Sequence, residues 1–162
     1  MCYLAGIFIA IALFYNYVFF VIVVPSASMY PSIEIGDRII TTRILDTSKI
    51  GRGDILVFRS DEFNEIMVKR VIGLPKDQIE INPEGEVSVN NEKLAEAYVH
   101  YPDHLNLSGS YKVAEGEYFF LGDYREHSLD SRKWNEPFIP ESKLLGEAKL
   151  ILFPLNRIMV LT

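Results

Sequence analysis

The sequence predicts a mainly β protein, with one N-terminal transmembrane helix followed by an antiparallel β domain that carries a small β cap. Three observations predict it. Residues 3–24 contain no charged side chain. After Pro31 the chain breaks into short runs rich in Ile, Val and Thr, parted by Gly and Pro. Without the apolar run, the 162-residue chain leaves roughly 135 to 140 residues, enough for one domain with a core but not for a second full domain. The predicted division is an anchor at 1–24, a β domain from 25–77 and 116–162, and a cap insertion at 78–115.

The anchor comes first. Residues 3–24 hold one glycine, Gly6, and one amide, Asn16. As a helix the run is roughly 33 Å long, which matches the hydrocarbon core of a bilayer. A cleaved signal peptide is usually shorter and preceded by positive charge, and a buried core helix rarely runs so long without polar residues. No Lys or Arg precedes the run, while Arg38 and Arg43 follow it. Taken alone, that charge pattern places the following domain in the cytoplasm. Cys2 is the single cysteine, so no intramolecular disulfide forms. The sequence leaves it open between a lipid acceptor and an ordinary membrane-edge residue.

The strands follow. Residues 37–45, 54–58 and 66–74 read as strands, cut by Gly36, by Gly51 with Gly53, and by Gly73 with Pro75. Residues 78–81 and 87–89, with turns at Asn82-Pro83-Glu84-Gly85 and Asn90-Asn91, read as a hairpin. Residues 93–113 are more polar and show no clear period. Residues 118–121 read as a buried strand running into Gly122-Asp123. Residues 149–153 and 158–161 read as closing strands, and neither is long enough to cross a membrane.

A formal charge of -6 without a Lys/Arg cluster argues against nucleic acid as a partner. His100 and His104 suggest a metal, but Pro102 between them breaks the helix that would present both on one face, which favours a loop and no metal site. The chemistry therefore centres on Pro25-Ser26-Ala27-Ser28-Met29-Tyr30-Pro31, which sets two serines at the mouth of the apolar run. A serine hydroxyl is nearly inert and needs a base within hydrogen-bond reach. His127 adjoins Ser128 in sequence without other support. Lys69 lies inside the apolar run 66–72, where alternation puts Lys69 and Val71 on one face and Val68, Arg70 and Ile72 on the other. One of the two cations must then share a side with apolar residues, unless the strand is an edge. The residues alone leave Lys69 open between a strand lysine reaching for water and a general base.

Separated motifs bear on that choice together. Pro25-Ser26-Ala27-Ser28-Met29-Tyr30-Pro31 resembles the P-S-x-S-M-x-P motif of the bacterial type I signal peptidases. Gly51-Arg52-Gly53-Asp54-Ile55 and Val68-Lys69-Arg70-Val71-Ile72-Gly73-Leu74-Pro75 are similar to their G-D-I/V-V-V-F and K-R-V-I-G-L-P-G-D motifs, with Lys76-Asp77 in place of Gly-Asp. Gly122-Asp123-Tyr124-Arg125-Glu126-His127-Ser128-Leu129-Asp130-Ser131-Arg132 resembles G-D-N-x-x-x-S-x-D-S-R, with Tyr124 at the usual Asn. The resemblance covers nearly the whole chain and is to a short, single-span form.

It implies the signal peptidase/LexA-like β fold and a Ser/Lys serine endopeptidase. Ser28 would be the nucleophile and Lys69 the general base. Ser26 and the Ser28 backbone N–H would form the oxyanion hole, and Ser128 would set its hydroxyl against the lysine amine. Asp130 and Arg132 would brace the site as an ion pair. Val24, Pro25, Met29, Ile33, Met67 and Val68 would form the substrate pocket, shallow enough to select Ala one and three residues before the cut. No cofactor or metal is implied. The implied partners are preprotein signal peptides and the lipid bilayer. The implied location is the bacterial cell membrane, single-pass, with the catalytic domain extracytoplasmic, against the local charge pattern. The apolar N-terminus followed by Ser26-Ala27-Ser28 itself resembles a substrate, so self-association through it is a further expectation. Two alternatives stand beside the peptidase. One is a non-peptidase assembly partner that binds pilin-like exported proteins in the same cleft, which would require neither Ser28 nor Lys69. The other is a self-cleaving repressor relative, which would require a DNA-binding domain.

Overall fold

The structure, a computed structural model, describes residues 17–101 and 105–161. The strands in chain order are β1 (Phe19–Val23), β2 (Arg38–Arg43), β3 (Ile55–Ser60), β4 (Glu65–Gly73), β5 (Gln78–Ile81), β6 (Val87–Val89), β7 (Glu92–Lys93), β8 (Gly109–Lys112), β9 (Glu117–Leu121), β10 (Phe138–Pro140), β11 (Leu144–Phe153) and β12 (Met159–Val160). An eight-stranded sheet runs β1-β2-β11-β3-β4-β9-β10, with β12 pairing β11, and a four-stranded sheet runs β7-β6-β5-β8. The pairings are antiparallel throughout.

Alternation along β3 explains its central place. Ile55 and Val57 join a core with Val24, Met29, Ile33, Ile39, Val68 and Ile151. Leu56 and Phe58 enter a second core with Val71, Phe120, Trp134 and Leu144. Both faces of the strand are therefore covered, so it reads as a continuous apolar run. A third core, formed by Ile72, Phe119 and Leu121 with Ile79, Ile81, Val87, Val89 and Val113, joins β4 and β9 to the small sheet.

The described residues correct the extent of the anchor. A helix was expected through residue 24, yet Phe19–Val23 is a strand paired to β2 in a register from Phe19↔Thr42 to Val23↔Arg38. An uncharged apolar run carries no period to separate helix from strand. Here the edge of β2 satisfies the backbone of these residues. No helix among the described residues is long and apolar enough to cross a membrane. The rest of the expected span, Cys2 and His104 lie outside the described residues. Three short strands were not anticipated. β7 and β8 fall at either end of the polar stretch, and β10 pairs with β9.

Candidate active site

The loop between β1 and β2 presents the two serines. Its base is closed by Val24 N–H donating to Asp37 O at 3.0 Å and Gly36 N–H donating to Val24 O at 2.9 Å. Within it, Ile33 N–H donates to Met29 O at 2.9 Å and Tyr30 N–H to Ala27 O at 3.0 Å, a helical turn whose Met29 and Ile33 side chains are wholly buried. Asp37, also buried, accepts Arg157 Nε and Nη2, each at 3.0 Å, and the Glu34 N–H at 2.8 Å. The C-terminal end of the chain thus clamps the loop that carries Ser28.

Strand β4 brings Lys69 to that loop. Lys69 Nζ lies 2.7 Å from Ser28 Oγ and 3.3 Å from Val68 O, and the lysine is only 5% exposed. No carboxylate pairs with it among the described residues. Burial pushes the amine down from 10.5 to about 8, against the pull of Asp130 and Asp123, which favour the charged form. An ordinary lysine keeps only about one amine in a thousand neutral near pH 7, whereas a pKa near 8 leaves roughly a tenth neutral. The neutral amine can accept the Ser28 hydroxyl proton at the observed distance.

Other site groups surround this pair. Ser26 Oγ is 3.4 Å from Ser28 Oγ, and the Ser28 N–H has no acceptor among the described residues. Both donors therefore stand beside the nucleophile without a competing strong bond. Asp130 binds Arg132 through Nε and Nη2, each at 2.9 Å, and accepts the Gly122 N–H at 3.1 Å. Arg132 also donates to Arg125 O at 2.6 Å. This ion pair holds the backbone of 122–132 around Ser128, which is 1% exposed. Ser128 Oγ has no hydrogen-bond partner, so the expected contact with the lysine amine is not made in this conformation. Gly122 explains how closely the two segments meet. A Cβ there would fall 2.3 Å from Ser128 Oγ and 2.4 Å from Ser28 O, distances no side chain tolerates. Tyr124 N–H donates to Ser28 O at 3.1 Å beside this contact.

A cleft of about 430 Å³ leads to the serine and lysine. Of the expected pocket residues, Val24, Pro25, Met67 and Val68 line it. Met29 and Ile33 do not. They belong to the core behind its wall, because the helical turn rotates them inward. The wall is completed by Ile22, Ile66 and Leu129, which the sequence did not single out. β4 pairs β9 only from Arg70 onward, so one edge of Glu65 to Lys69 has no partner strand among the described residues.

Comparison with known proteins bears on this arrangement. The family model described as signal peptidase, peptidase S26 matches residues 1–153. This chain belongs to that family. It is 37% identical over 146 residues to a probable signal peptidase I-2 of Synechocystis sp., a match covering 86% of this chain and 65% of that protein. It is 32% identical over 164 residues to signal peptidase I of Bacillus amyloliquefaciens, covering 93% of this chain and 84% of the relative. The crystal structure of a signal peptidase I from Enterococcus faecalis V583 superposes with a TM-score of 0.52 at 29% identity, over 61% of this chain and 96% of that one.

In this member of the peptidase S26 family, a second buried cation went unassigned in the sequence. Arg70, 3% exposed, donates from Nε and Nη2 to the two oxygens of Asp123 at 2.9 and 2.8 Å, and from Nη1 to Gly53 O at 2.7 Å. Its guanidinium lies 4.1 Å from the centre of the Tyr98 ring. Asp123 also accepts the Ser32 hydroxyl at 2.5 Å. The alternation that made one of the two cations share a side with apolar residues was the available signal. A buried guanidinium calls for a carboxylate, and Asp123 follows the glycine of the 122–132 motif. Arg125, buried as well, pairs with Glu96 from the small sheet's long connection. His100 has its ring in a loop, as expected.

Proposed function

We propose that this chain is a membrane-anchored serine endopeptidase that removes signal peptides from exported preproteins, cutting after small residues of the Ala-x-Ala type. The observation that carries the reading is Lys69 Nζ, buried, without a carboxylate partner, and 2.7 Å from Ser28 Oγ. A binding cleft needs neither a buried lysine nor that distance, and the geometry favours the peptidase over an assembly partner.

In the proposed reaction the neutral Lys69 amine takes the Ser28 Oγ proton as the hydroxyl attacks the scissile carbonyl. The Ser28 N–H and Ser26 hydroxyl stabilise the oxyanion. The lysine ammonium then returns its proton to the leaving amine, and water activated by the same amine hydrolyses the acyl-enzyme. Asp130 and Arg132 position the motif that carries the buried, unpartnered Ser128 hydroxyl. The unpartnered edge of β4 suits strand addition, in which backbone hydrogen bonds hold an extended substrate and the apolar walls read its side chains. Residues 25–77 and 116–162 serve as the catalytic part and 78–115 as a cap. The anchor is assigned to the N-terminal apolar run, in a bacterial membrane with the catalytic part extracytoplasmic; with β1 starting at Phe19, residues 3–18 would give a helix of about 24 Å, shorter than a bilayer core of about 30 Å.

The experiment is cleavage of an Ala-x-Ala peptide by the full chain in detergent. Ser28→Ala and Lys69→Ala should each abolish it. Retained cleavage in either variant overturns the assignment.

A further inference from the structure

Three tyrosines meet beside the nucleophile. Tyr30, two residues after Ser28, stacks on Tyr101 with ring centres 5.8 Å apart. Tyr124 lies 6.0 Å from Tyr30 and 4.9 Å from Tyr101. The His127 ring meets Tyr124 edge-on at 4.4 Å, and His127 itself lines the cleft. His127 thus joins the group to the cleft, which the three tyrosines themselves do not line.

Its exposure differs from that of a structural cluster. Phe58, Phe120 and Trp134 also stack on one another, and all three are buried. Tyr30 and Tyr124 are only half-buried, while Tyr101 is 39% exposed. Part of each of these three residues therefore remains accessible to a further partner.

Chain geometry names that partner. The cleft walls, 22–26 on one side and Glu65 to Val68 on the other, converge on Ser28 and Lys69. A peptide lying between them with its reacting carbonyl at Ser28 Oγ must continue past the serine. An extended chain advances about 3.3 Å per residue, and beside the serine the segments next in line are those of Tyr30, two residues along the chain, and Tyr124, whose N–H donates to Ser28 O at 3.1 Å. Resting on the peptidase reading, we propose that Tyr30, Tyr101 and Tyr124, with His127 at the rim, form a subsite for an aromatic side chain at the first or second position after the scissile bond. The rings offer offset or edge-on stacking to such a side chain, and only bulk contact to an aliphatic one.

The test uses peptides identical through Ala-x-Ala that carry Phe or Ala at each of the two following positions. Phe at one of them should raise kcat/KM roughly three- to ten-fold, chiefly through KM. That ratio should fall to near one in Tyr124→Ala and persist in Tyr124→Phe. Tyr101→Ala, at an exposed position, should lower it too and serves if Tyr124→Ala does not fold. A ratio near one in the unaltered protein overturns the subsite, as does a ratio that survives both alanine variants. Absence of cleavage of every peptide overturns the peptidase reading and the subsite with it, whereas cleavage of all with equal efficiency overturns the subsite alone.

Discussion

Lys69 and Arg70 are neighbours on β4, both buried, and the pleat of the strand turns them to opposite faces. Arg70 meets a carboxylate with a two-point bond, a backbone carbonyl and an aromatic face. Lys69 meets a hydroxyl and one long contact to a carbonyl. Burial by itself does not make a base. Arg70 is buried with a carboxylate partner and serves as structure, whereas Lys69 is buried without one, which lowers the amine to about 8 and raises the share able to accept a proton. The polypeptide places the two one residue apart, so that Arg70 braces the 122–132 motif through Asp123 while Lys69 faces Ser28.

The largest expected effect separates the two by activity. Lys69→Ala should lower kcat on the order of 10⁶-fold if the dyad acts as a unit, measured by product formation in single-turnover assays. A loss below about tenfold would mean that the amine is not the base.

Stability should separate them with opposite signs. Asp123→Ala removes the carboxylate that Arg70 binds at two points and should cost about 3 to 5 kcal/mol by denaturant titration. Lys69→Met should instead stabilise the protein by up to about 3 kcal/mol at pH 7. The sign follows from the lowered pKa of Lys69 in the folded chain, about 8 against 10.5. Between those values the unfolded chain binds more protons, so the native protein gains stability as pH rises through that window. Below it the full penalty remains. The advantage of Lys69→Met should thus fade between pH 8 and 10.5, and a pH-independent difference would contradict the buried amine.

The same titration shapes the rate. kcat/KM should climb about tenfold per pH unit below pH 8 and level off above it, as one proton leaves Lys69. A flat profile from pH 6 to 9 would break the link between burial and catalysis.

A smaller effect concerns the contact that brings both sides together. Gly122→Ala inserts a methyl between Ser28 O and Ser128 Oγ and should cost about 1 to 3 kcal/mol by thermal or denaturant unfolding, with a drop in kcat. An unchanged kcat would show that the two segments can separate without consequence.

Much of this was readable from residue order. The strands at β2, β3, β4, β5, β6, β9, the second half of β11 and β12 announce themselves as short apolar runs between turn residues, and the small sheet's hairpin through its Asn-containing turns. Ser28, Lys69, Asp130 and Arg132 could be singled out through the resemblance of their motifs, which needs no knowledge of packing. β1 was not, since an apolar run pairs or coils according to what edge is available. Met29 and Ile33 were assigned to the cleft because composition marks them as apolar but not which way a helical turn aims them. Asp123 stood in the motif without a partner, because Arg70 is 53 positions away.

Residue order was enough for the mainly β class and, through the resemblance of its motifs, for naming Ser28 and Lys69 as candidate nucleophile and base. Only tertiary structure decided that Lys69 meets Ser28, that Arg70 is neutralised by Asp123, and that three tyrosines gather beside the serine. The physical reason is that protonation and stacking depend on solvent exclusion and on atoms brought together from distant parts of the chain. Local pattern specifies which strands form, while the register of their assembly specifies which charges lose their water.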